Sequence, residues 1–168
     1  ERLPELKLEA DIWRHYLTQV IPETSDSEFK WKEFQERVNS DLIGNYANYV
    51  NRVLNFIYTK LNGKIIKPSA KDLQEIDKKL LNTIKEKRKK IEELLEKAEL
   101  RKAYAEILEL SSEGNKYIND NEPWNVIKEN PERANNIFYV SAFLLKNLTV
   151  LFAPYLPKTS EKVWKQLN

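Results

Sequence analysis

The sequence predicts an all-α fold, an antiparallel helical bundle, and three observations support this prediction. Apolar residues recur at intervals of three and four along most of the chain, and no stretch shows the strict alternation of a half-buried strand. Prolines, asparagines and serines separate these periodic segments. With 168 residues, the chain is long enough to bury about 70% of its unfolded surface around one core.

The first half of the chain predicts three helices. The first runs near 9–20, and the second begins near Lys30 with Trp31, Phe34 and Val38 facing inward. After the possible cap Asn39-Ser40-Asp41, the third helix extends to Leu61 and stops at Asn62-Gly63. The segment from Ile21 to Phe29 is expected to form a polar turn.

The second half predicts four more helices, at about 69–98, 101–118, 132–152 and 158–167. Ser69 is a plausible N-cap for the first of them. The helix at 132–152 is apolar on nearly all sides, Phe143 included, so it should be central. We expect a core that contains Phe34, Val53, Ile57, Phe138, Leu144 and Leu148, and core packing for Trp31, Tyr104 and Tyr117.

Composition excludes most catalytic chemistry. The chain has no Cys, a single His and 3 Gly, which leaves no disulfide, no thiolate or histidine-rich metal site and no phosphate-binding glycine loop. No Glu-x-x-His pair for a di-iron site occurs. His15 has no Ser or Asp arranged around it, so we expect a surface or packing residue. These absences favour a binding or structural module.

The net charge of +2 is small, so any contact with nucleic acid should be local. The densest basic patch is 85–90, whose Lys87 and Arg88 face either solvent or RNA phosphates. There is no signal peptide and no apolar run that could span a membrane, so we expect a cytoplasmic protein. Because the chain has no Met, we expect it to begin inside a longer protein.

A row of polar residues along the third helix is the most informative functional pattern. Its members are spaced four and three apart, which places them on one helix face: Asp41, Asn45, Asn48, Arg52, Asn55 and Thr59. The opposite face is apolar: Leu42, Tyr46, Val50, Val53, Ile57 and Leu61. Amides and a guanidinium can recognise flat polar surfaces such as base edges.

An aromatic residue downstream complements this row. In Asn121-Glu122-Pro123-Trp124, the proline stands where a helix could begin and fixes the backbone before Trp124. Donors and acceptors on a helix beside a stacking platform indicate recognition of single-stranded RNA. A solvated helix face and a tryptophan in the core would explain the same spacing.

Three motifs follow one another along the chain and carry the polar and aromatic residues: Asn48-Tyr49-Val50-Asn51-Arg52, Asn115-Lys116-Tyr117 and Asn121-Glu122-Pro123-Trp124. Together they resemble the helical anticodon-binding domain of methionyl-tRNA synthetases. The resemblance extends through 10–17, 22–29, 37–42 and 156–160 and covers about residues 9–168. Residues 1–8 are expected to be a connector from a catalytic core that this sequence lacks. The chain departs from the family at Ala47, where Gly is common, and at Ile21, where Arg is usual.

The resemblance implies that this domain checks an anticodon. In the family, the tryptophan that matches Trp124 stacks on the first anticodon base, a cytosine, and the residues that match Asn48 and Arg52 hydrogen-bond the anticodon. Pro123 would fix the approach of Trp124, and Lys87, Arg88 and Lys116 are candidate contacts to the RNA backbone. The implied partners are methionine tRNA with its CAU anticodon and the parent's catalytic core; DNA and membranes are not implied.

The fragment is not expected to be an enzyme by itself. The family's His-Ile-Gly-His and Lys-Met-Ser-Lys-Ser motifs are absent, so activation of methionine with ATP and Mg would belong to the parent, and no cofactor is expected in this chain. Two alternatives remain open at this point. One is the corresponding bundle of another class I synthetase, for leucine, isoleucine, valine or cysteine. The other is a helical protein-interaction module that docks through the helix at 69–98.

Overall fold

The structure, a computed structural model, describes residues 7–23 and 26–167, and all regular elements of these residues are helical. Most of the predicted connector at 1–8 lies outside the described residues, as do Thr24 and Ser25 of the predicted turn. The elements are α1 (Ala10–Gln19), α2 (Trp31–Arg37), a π-helical stretch (Val38–Ala47), α3 (Asn48–Lys60), a 3-10 turn (Ala70–Asp72), α4 (Glu75–Glu96), α5 (Leu100–Asn121), α6 (Pro123–Glu129), α7 (Pro131–Phe152) and α8 (Pro157–Leu167). The prediction of an all-α bundle is confirmed.

Helix α7 forms the centre of the bundle and packs against α3, α4, α5, α6 and α8. It begins where Pro131 occupies the first helical position and the Asn130 side chain accepts the Arg133 backbone N–H. Apolar residues on nearly every side explain its position, and all six predicted core residues are buried: Phe34, Val53, Ile57, Phe138, Leu144 and Leu148. One side of α7 is not covered: Phe143 and Val150 are exposed to solvent although both are apolar.

Helix α5 crosses α3 and α7 at very short range. It follows α4 after only three residues, so the two helices form an antiparallel hairpin. At Gly114, an added Cβ would lie 2.7 Å from Leu144 Cδ2 and 2.7 Å from two ring atoms of Tyr49. Glycine therefore permits the close approach of the three helices at this point.

The second and third predicted helices form one continuous rod. The expected cap at Asn39-Ser40-Asp41 is wrong: the Ser40 hydroxyl donates to the neighbouring Asp41 carboxylate at 2.7 Å, and the helix continues through the π-helical stretch. This stretch has wider turns and keeps the backbone hydrogen-bonded without a break. The rod ends as predicted at Asn62-Gly63, where both residues have positive φ.

Two other helix starts differ from the prediction. Ser69 caps the 3-10 turn with Asp72, and α4 begins only at Glu75, where the Asp77 carboxylate accepts the Gln74 backbone N–H. Full helices were predicted at 101–118 and next at 132–152, whereas α5 continues to Asn121 and the short α6 follows at once. Pro123 opens α6, so its position at a helix start is confirmed.

The aromatic and histidine expectations have mixed outcomes. Tyr104 and Tyr117 are buried as expected, but Trp31 is 52% exposed at the rim of an aromatic cluster. His15 is a packing residue and is fully buried, 2.6 Å from the Tyr104 hydroxyl through Nδ1 and 3.1 Å from the Arg37 carbonyl through Nε2. Burial lowers the pKa of this imidazole.

Candidate nucleic-acid interface

The polar row of the rod lies against α5. Asn45 donates to the Leu108 carbonyl and the Ser112 hydroxyl, both at 2.9 Å. One turn later Asn48 donates to Asn115 Oδ1 at 3.0 Å. The Arg52 guanidinium then donates to Asn115 Oδ1 at 3.4 Å and to Asn119 Oδ1 at 2.7 Å. We call Asn45, Asn48, Arg52, Asn115 and Asn119 the amide ladder.

Asn115 sets the direction of the hydrogen bonds in this ladder. Its Nδ2 donates to two backbone carbonyls, those of Asn45 at 3.0 Å and Ser111 at 3.4 Å. Carbonyls can only accept, so the Asn115 amide has one possible orientation, with Oδ1 toward Asn48 and Arg52. Asn48 must consequently donate through Nδ2. Its Oδ1 accepts no hydrogen bond from the part of the chain that the structure describes.

Trp124 lies beside the guanidinium of the ladder. The Arg52 guanidinium carbon is 5.6 Å from the centroid of the Trp124 ring, which is within cation–π range. The ring is 41% exposed, whereas Pro123 immediately before it is buried. Glu122 connects α5 to α6 with φ 39° and ψ 55°, a left-handed conformation that is uncommon outside glycine. The corner thus presents an aromatic surface next to a cation.

Arg52 has no carboxylate within ion-pair distance among the described residues. Its partners are neutral amide oxygens, and partial burial lowers the pKa of its guanidinium, although the group stays charged. Two of its five N–H groups are used by Asn115 and Asn119, so three are left for a ligand. The site therefore offers unused donors, one unused amide acceptor and an exposed indole.

The structure brings three predicted site residues together and separates others from them. Asn48, Arg52 and Trp124 share one surface, with Pro123 buried below. The remaining members of the row do not join the ladder. Thr59 donates within α3 to the Asn55 carbonyl at 2.7 Å, and the Asp41 carboxylate accepts the neighbouring Ser40 hydroxyl at 2.7 Å.

The three candidate contacts to the RNA backbone differ in how they are engaged. Lys87 is mostly buried and pairs with Glu106 at 2.5 Å and Glu109 at 2.6 Å. Burial lowers its pKa, but the hydrogen bonds to these two carboxylates outweigh that effect and raise it overall. Arg88 is exposed and pairs with Glu92 at 2.9 Å. Lys116 is exposed on α5 and has no ion-pair partner among the described residues.

Sequence reasoning did not place Asn115 and Asn119 in the site. They are spaced one turn apart on α5, the same spacing that identified Asn48 and Arg52 on α3. The sequence therefore contained a pattern that could have identified them. This pattern is informative only when α3 and α5 are known to be neighbours, and the periodicity of each helix does not show that they are.

The fold is that of a helical anticodon-binding domain. It superimposes on Mycobacterium tuberculosis methionyl-tRNA synthetase bound by methionyl-adenylate with a TM-score of 0.88, over 96% of this chain and 32% of that chain, at 22% identity. Residues 67–168 match the family described as the anticodon binding domain of methionyl tRNA ligase, and residues 2–54 match that of class I tRNA synthetases (M). The chain belongs to the family of anticodon-binding domains of methionyl-tRNA ligases.

Curated relatives agree with this assignment. The chain is 41% identical to a methionine–tRNA ligase of Methanopyrus kandleri over 159 residues, which are 95% of this chain and 23% of that protein. It is 37% identical to a methionine–tRNA ligase of Bacteroides fragilis over 168 residues, 100% of this chain and 24% of that protein. The chain thus spans about a quarter of the length of these relatives. No helix in the described ranges is long and apolar enough to cross a membrane.

Proposed function

We propose that this chain binds the anticodon loop of methionine tRNA and recognises the anticodon CAU, with its first base stacked on Trp124. The observation that carries the proposal is the 5.6 Å separation between the Arg52 guanidinium carbon and the Trp124 ring centroid. Arg52 lies over the ring, so we infer that a base stacks on the part of the indole that the guanidinium leaves uncovered and turns its edge toward Arg52 and, beyond Asn115, Asn48. Stacking on an aromatic side chain accepts any base, so the choice of cytosine has to come from this edge.

The hydrogen-bonding pattern of the site matches cytosine better than uracil. The Watson–Crick edge of cytosine has one amino donor and two acceptors, N3 and O2. Asn48 Oδ1 is an acceptor for the amino group, and the unused N–H groups of Arg52 are donors for N3 or O2. Uracil has a carbonyl in place of the amino group and an N–H in place of N3. Its carbonyl would face the Asn48 oxygen without a donor between them, an unpaired contact that disfavours binding.

The orientation of the Asn115 amide supports the proposed preference for cytosine over uracil. Because its Nδ2 is held by the Asn45 and Ser111 carbonyls, Asn48 cannot rotate its amide to present Nδ2 without losing the bond to Asn115. The acceptor is consequently fixed before RNA arrives, which reduces the ordering cost of binding. Lys116, on the neighbouring face of α5, is the best-placed of the three predicted cations to contact a phosphate without breaking an ion pair.

We place the chemistry of aminoacylation outside this chain. The proposed parent is a cytoplasmic methionine–tRNA ligase whose catalytic core binds ATP with Mg and methionine, and this domain would supply anticodon recognition to it. The short match of residues 2–54 to class I synthetases and the lengths of the curated relatives support that division. The neighbouring core is then the second partner of the domain.

Trp124→Ala provides the main test, with Trp164→Ala as a matched control. Trp164 is 40% exposed and has the Lys146 ammonium 5.7 Å from its ring, so both tryptophans are equally accessible and lie near a cation. Binding to anticodon stem-loop RNAs is measured by fluorescence anisotropy at fixed salt. Trp124→Ala should weaken binding of the CAU loop by about 1–3 kcal/mol, the usual contribution of one stacked base, whereas Trp164→Ala should leave it unchanged.

Arg52→Ala tests the choice of base. This variant should reduce the preference for CAU over UAU loops, since it removes donors that face the base edge. Equal losses for both tryptophan variants, or an unchanged preference in Arg52→Ala, would contradict the proposed site. Absence of any RNA binding by the wild-type chain at moderate salt would favour the protein-interaction module instead, and tight binding of a leucine, isoleucine, valine or cysteine anticodon loop would favour another class I synthetase.

A further inference from the structure

A buried carboxylate lies at the start of α4, away from the amide ladder. Asp77 is completely enclosed and accepts the Tyr117 hydroxyl at 2.5 Å and the Gln74 backbone N–H at 2.9 Å. The Arg133 guanidinium donates to both of its oxygens, to Oδ1 at 2.9 Å. Only 10% of the Arg133 side chain is exposed. Asp77 thus joins α4 to α5 through Tyr117 and to α7 through Arg133.

The same guanidinium also reaches the last turn of α5. Arg133 Nη2 donates to Asn121 Oδ1 at 2.6 Å, and Asn121 Nδ2 donates to the Tyr117 carbonyl at 2.8 Å. Asn121 is the last residue of α5, and Arg133 lies in the first turn of α7. The segment between α5 and α7, which begins with the corner at Glu122, Pro123 and Trp124, is therefore bounded on both sides by residues of one hydrogen-bonded network around Asp77.

The corner needs such support because its backbone is unfavourable. Glu122 has φ 39°, a left-handed conformation that costs free energy in any residue with a Cβ. Such conformations persist where the surrounding structure determines them, and they concentrate at functional sites. A buried ion pair contributes little net stability compared with apolar residues of the same size, because both ions lose their hydration. Its directional hydrogen bonds, in contrast, can fix one geometry.

We propose that Asp77, Arg133 and Tyr117 are positioning residues that hold Trp124 beside Arg52, so that the stacking surface is in place before RNA binds. This inference rests on the proposed function for its effect on RNA and on the structure alone for its effect on Trp124. Among the described residues, no hydrogen bond links the network to Trp124 or to the amide ladder. It acts through Asn121, directly before the corner, and through Arg133, beyond the far end of α6.

Two variants test this role. Arg133→Lys keeps the charge opposite Asp77 but lacks the fork that reaches Asp77 and Asn121 together. Tyr117→Phe removes a single hydroxyl and is the milder change. If Arg133→Lys does not fold, Tyr117→Phe alone tests whether the network positions Trp124. Tyr104→Phe is the control, since it also removes a buried hydroxyl from α5, one that bonds His15 at 2.6 Å instead of Asp77.

The first measurement does not depend on RNA. The four tryptophans give four indole N–H cross-peaks in a ¹H–¹⁵N spectrum of the 168-residue chain, and Trp124→Ala identifies the one from Trp124. Arg133→Lys and Tyr117→Phe should shift or broaden this cross-peak, and Tyr104→Phe should not move it. An unmoved Trp124 cross-peak in both network variants would overturn the positioning role.

The second measurement is a double-mutant cycle with the CAU stem-loop RNA. Each network variant should bind at least fivefold more weakly than wild type, and the same change in a Trp124→Ala background should cause no further loss. Equal losses in both backgrounds would mean that the network affects the domain generally, which would overturn the inference. If Trp124→Ala itself leaves RNA binding unchanged, the proposed function fails, and the indole cross-peak alone decides the positioning role.

Discussion

The crossing of α3 and α5 at Gly114 predicts that Gly114→Ala damages both stability and RNA binding. The new methyl group would lie 2.7 Å from the Tyr49 ring and from Leu144 Cδ2. Neither neighbour can move freely: both are fully buried, and the Tyr49 hydroxyl donates to the Ser141 carbonyl at 3.0 Å. Restoring an ordinary contact of 3.4 Å requires a shift of about 0.7 Å.

This shift has two consequences of different kinds. Overpacking of a rigid core site costs about 1–3 kcal/mol, and the higher helix propensity of alanine offsets about 1 kcal/mol of that cost. We therefore expect a net loss of up to about 2 kcal/mol in the free energy of unfolding. If α3 moves away by the same distance, the 3.0 Å bond from Asn48 to Asn115 lengthens to about 3.7 Å, too long for a hydrogen bond.

Urea unfolding followed by circular dichroism gives the stability, and anisotropy with CAU and UAU stem-loops gives the preference. Gly44→Ala is the control: it is the same substitution in the rod, and within 4 Å its Cβ would meet the Asn39 carbonyl oxygen at 3.0 Å but no core side chain. Gly114→Ala should be less stable than Gly44→Ala and should discriminate less between the two loops. A Gly114→Ala chain that is more stable than wild type would refute the argument, since helix propensity would then outweigh the close approach.

Three further predictions concern the core, pH and salt. Leu148→Ala should cost about 2–5 kcal/mol in urea unfolding, whereas Val150→Ala on the exposed face of α7 should change stability by less than about 0.5 kcal/mol; similar values would contradict the central position of α7. Burial lowers the pKa of His15, so as the pH falls the unfolded chain takes up a proton before the folded chain does. The free energy of unfolding should therefore be constant above pH 7. It should decrease from pH 6.5, the ordinary pKa of histidine, toward pH 5, by no more than about 1.4 kcal/mol per pH unit. His15→Gln should lose this dependence, and an equally steep decline in that variant would assign it to other groups. Lys116→Ala should weaken RNA binding for all anticodons alike and reduce the salt slope by about one, whereas Lys87→Met, which breaks ion pairs, should change unfolding and leave that slope unchanged.

The core was predictable from the sequence because the periodicity of apolar residues indicates which face of each helix is buried. Val53 and Leu148 belong to such apolar faces, and they are buried no matter which neighbouring helix packs on them. The short α6 was not predictable in the same way: seven residues are too few to show a period, and only its start at Pro123 carries a signal. The exposed Trp31 shows the limit of residue type as a guide, since large aromatic side chains are often left partly exposed at a rim.

Only the part of the candidate site that lies on α3 could be predicted from the sequence, because residue spacing describes one helix at a time. Asn48 and Arg52 are recognisable because amides are unusual on a wet helix face, but the sequence does not say which surface they meet. The π-helical stretch was also missed, since a wider turn leaves no mark in the spacing of residue types along the sequence. The contacts of Asn115 depend on tertiary packing, which local pattern does not contain.

If the amide ladder recognises the anticodon as proposed, its composition has a consequence for the accuracy of translation. Its four asparagines are neutral at every physiological pH, Arg52 keeps its charge, and the indole of Trp124 does not ionise. Salt and acidity act on charges, so they should change how tightly the loop is held through phosphates and leave the ratio of affinities for cytosine and uracil nearly constant. Codon fidelity would then withstand fluctuations in the ionic composition of the cell, at the cost of relying on hydrogen-bond geometry alone.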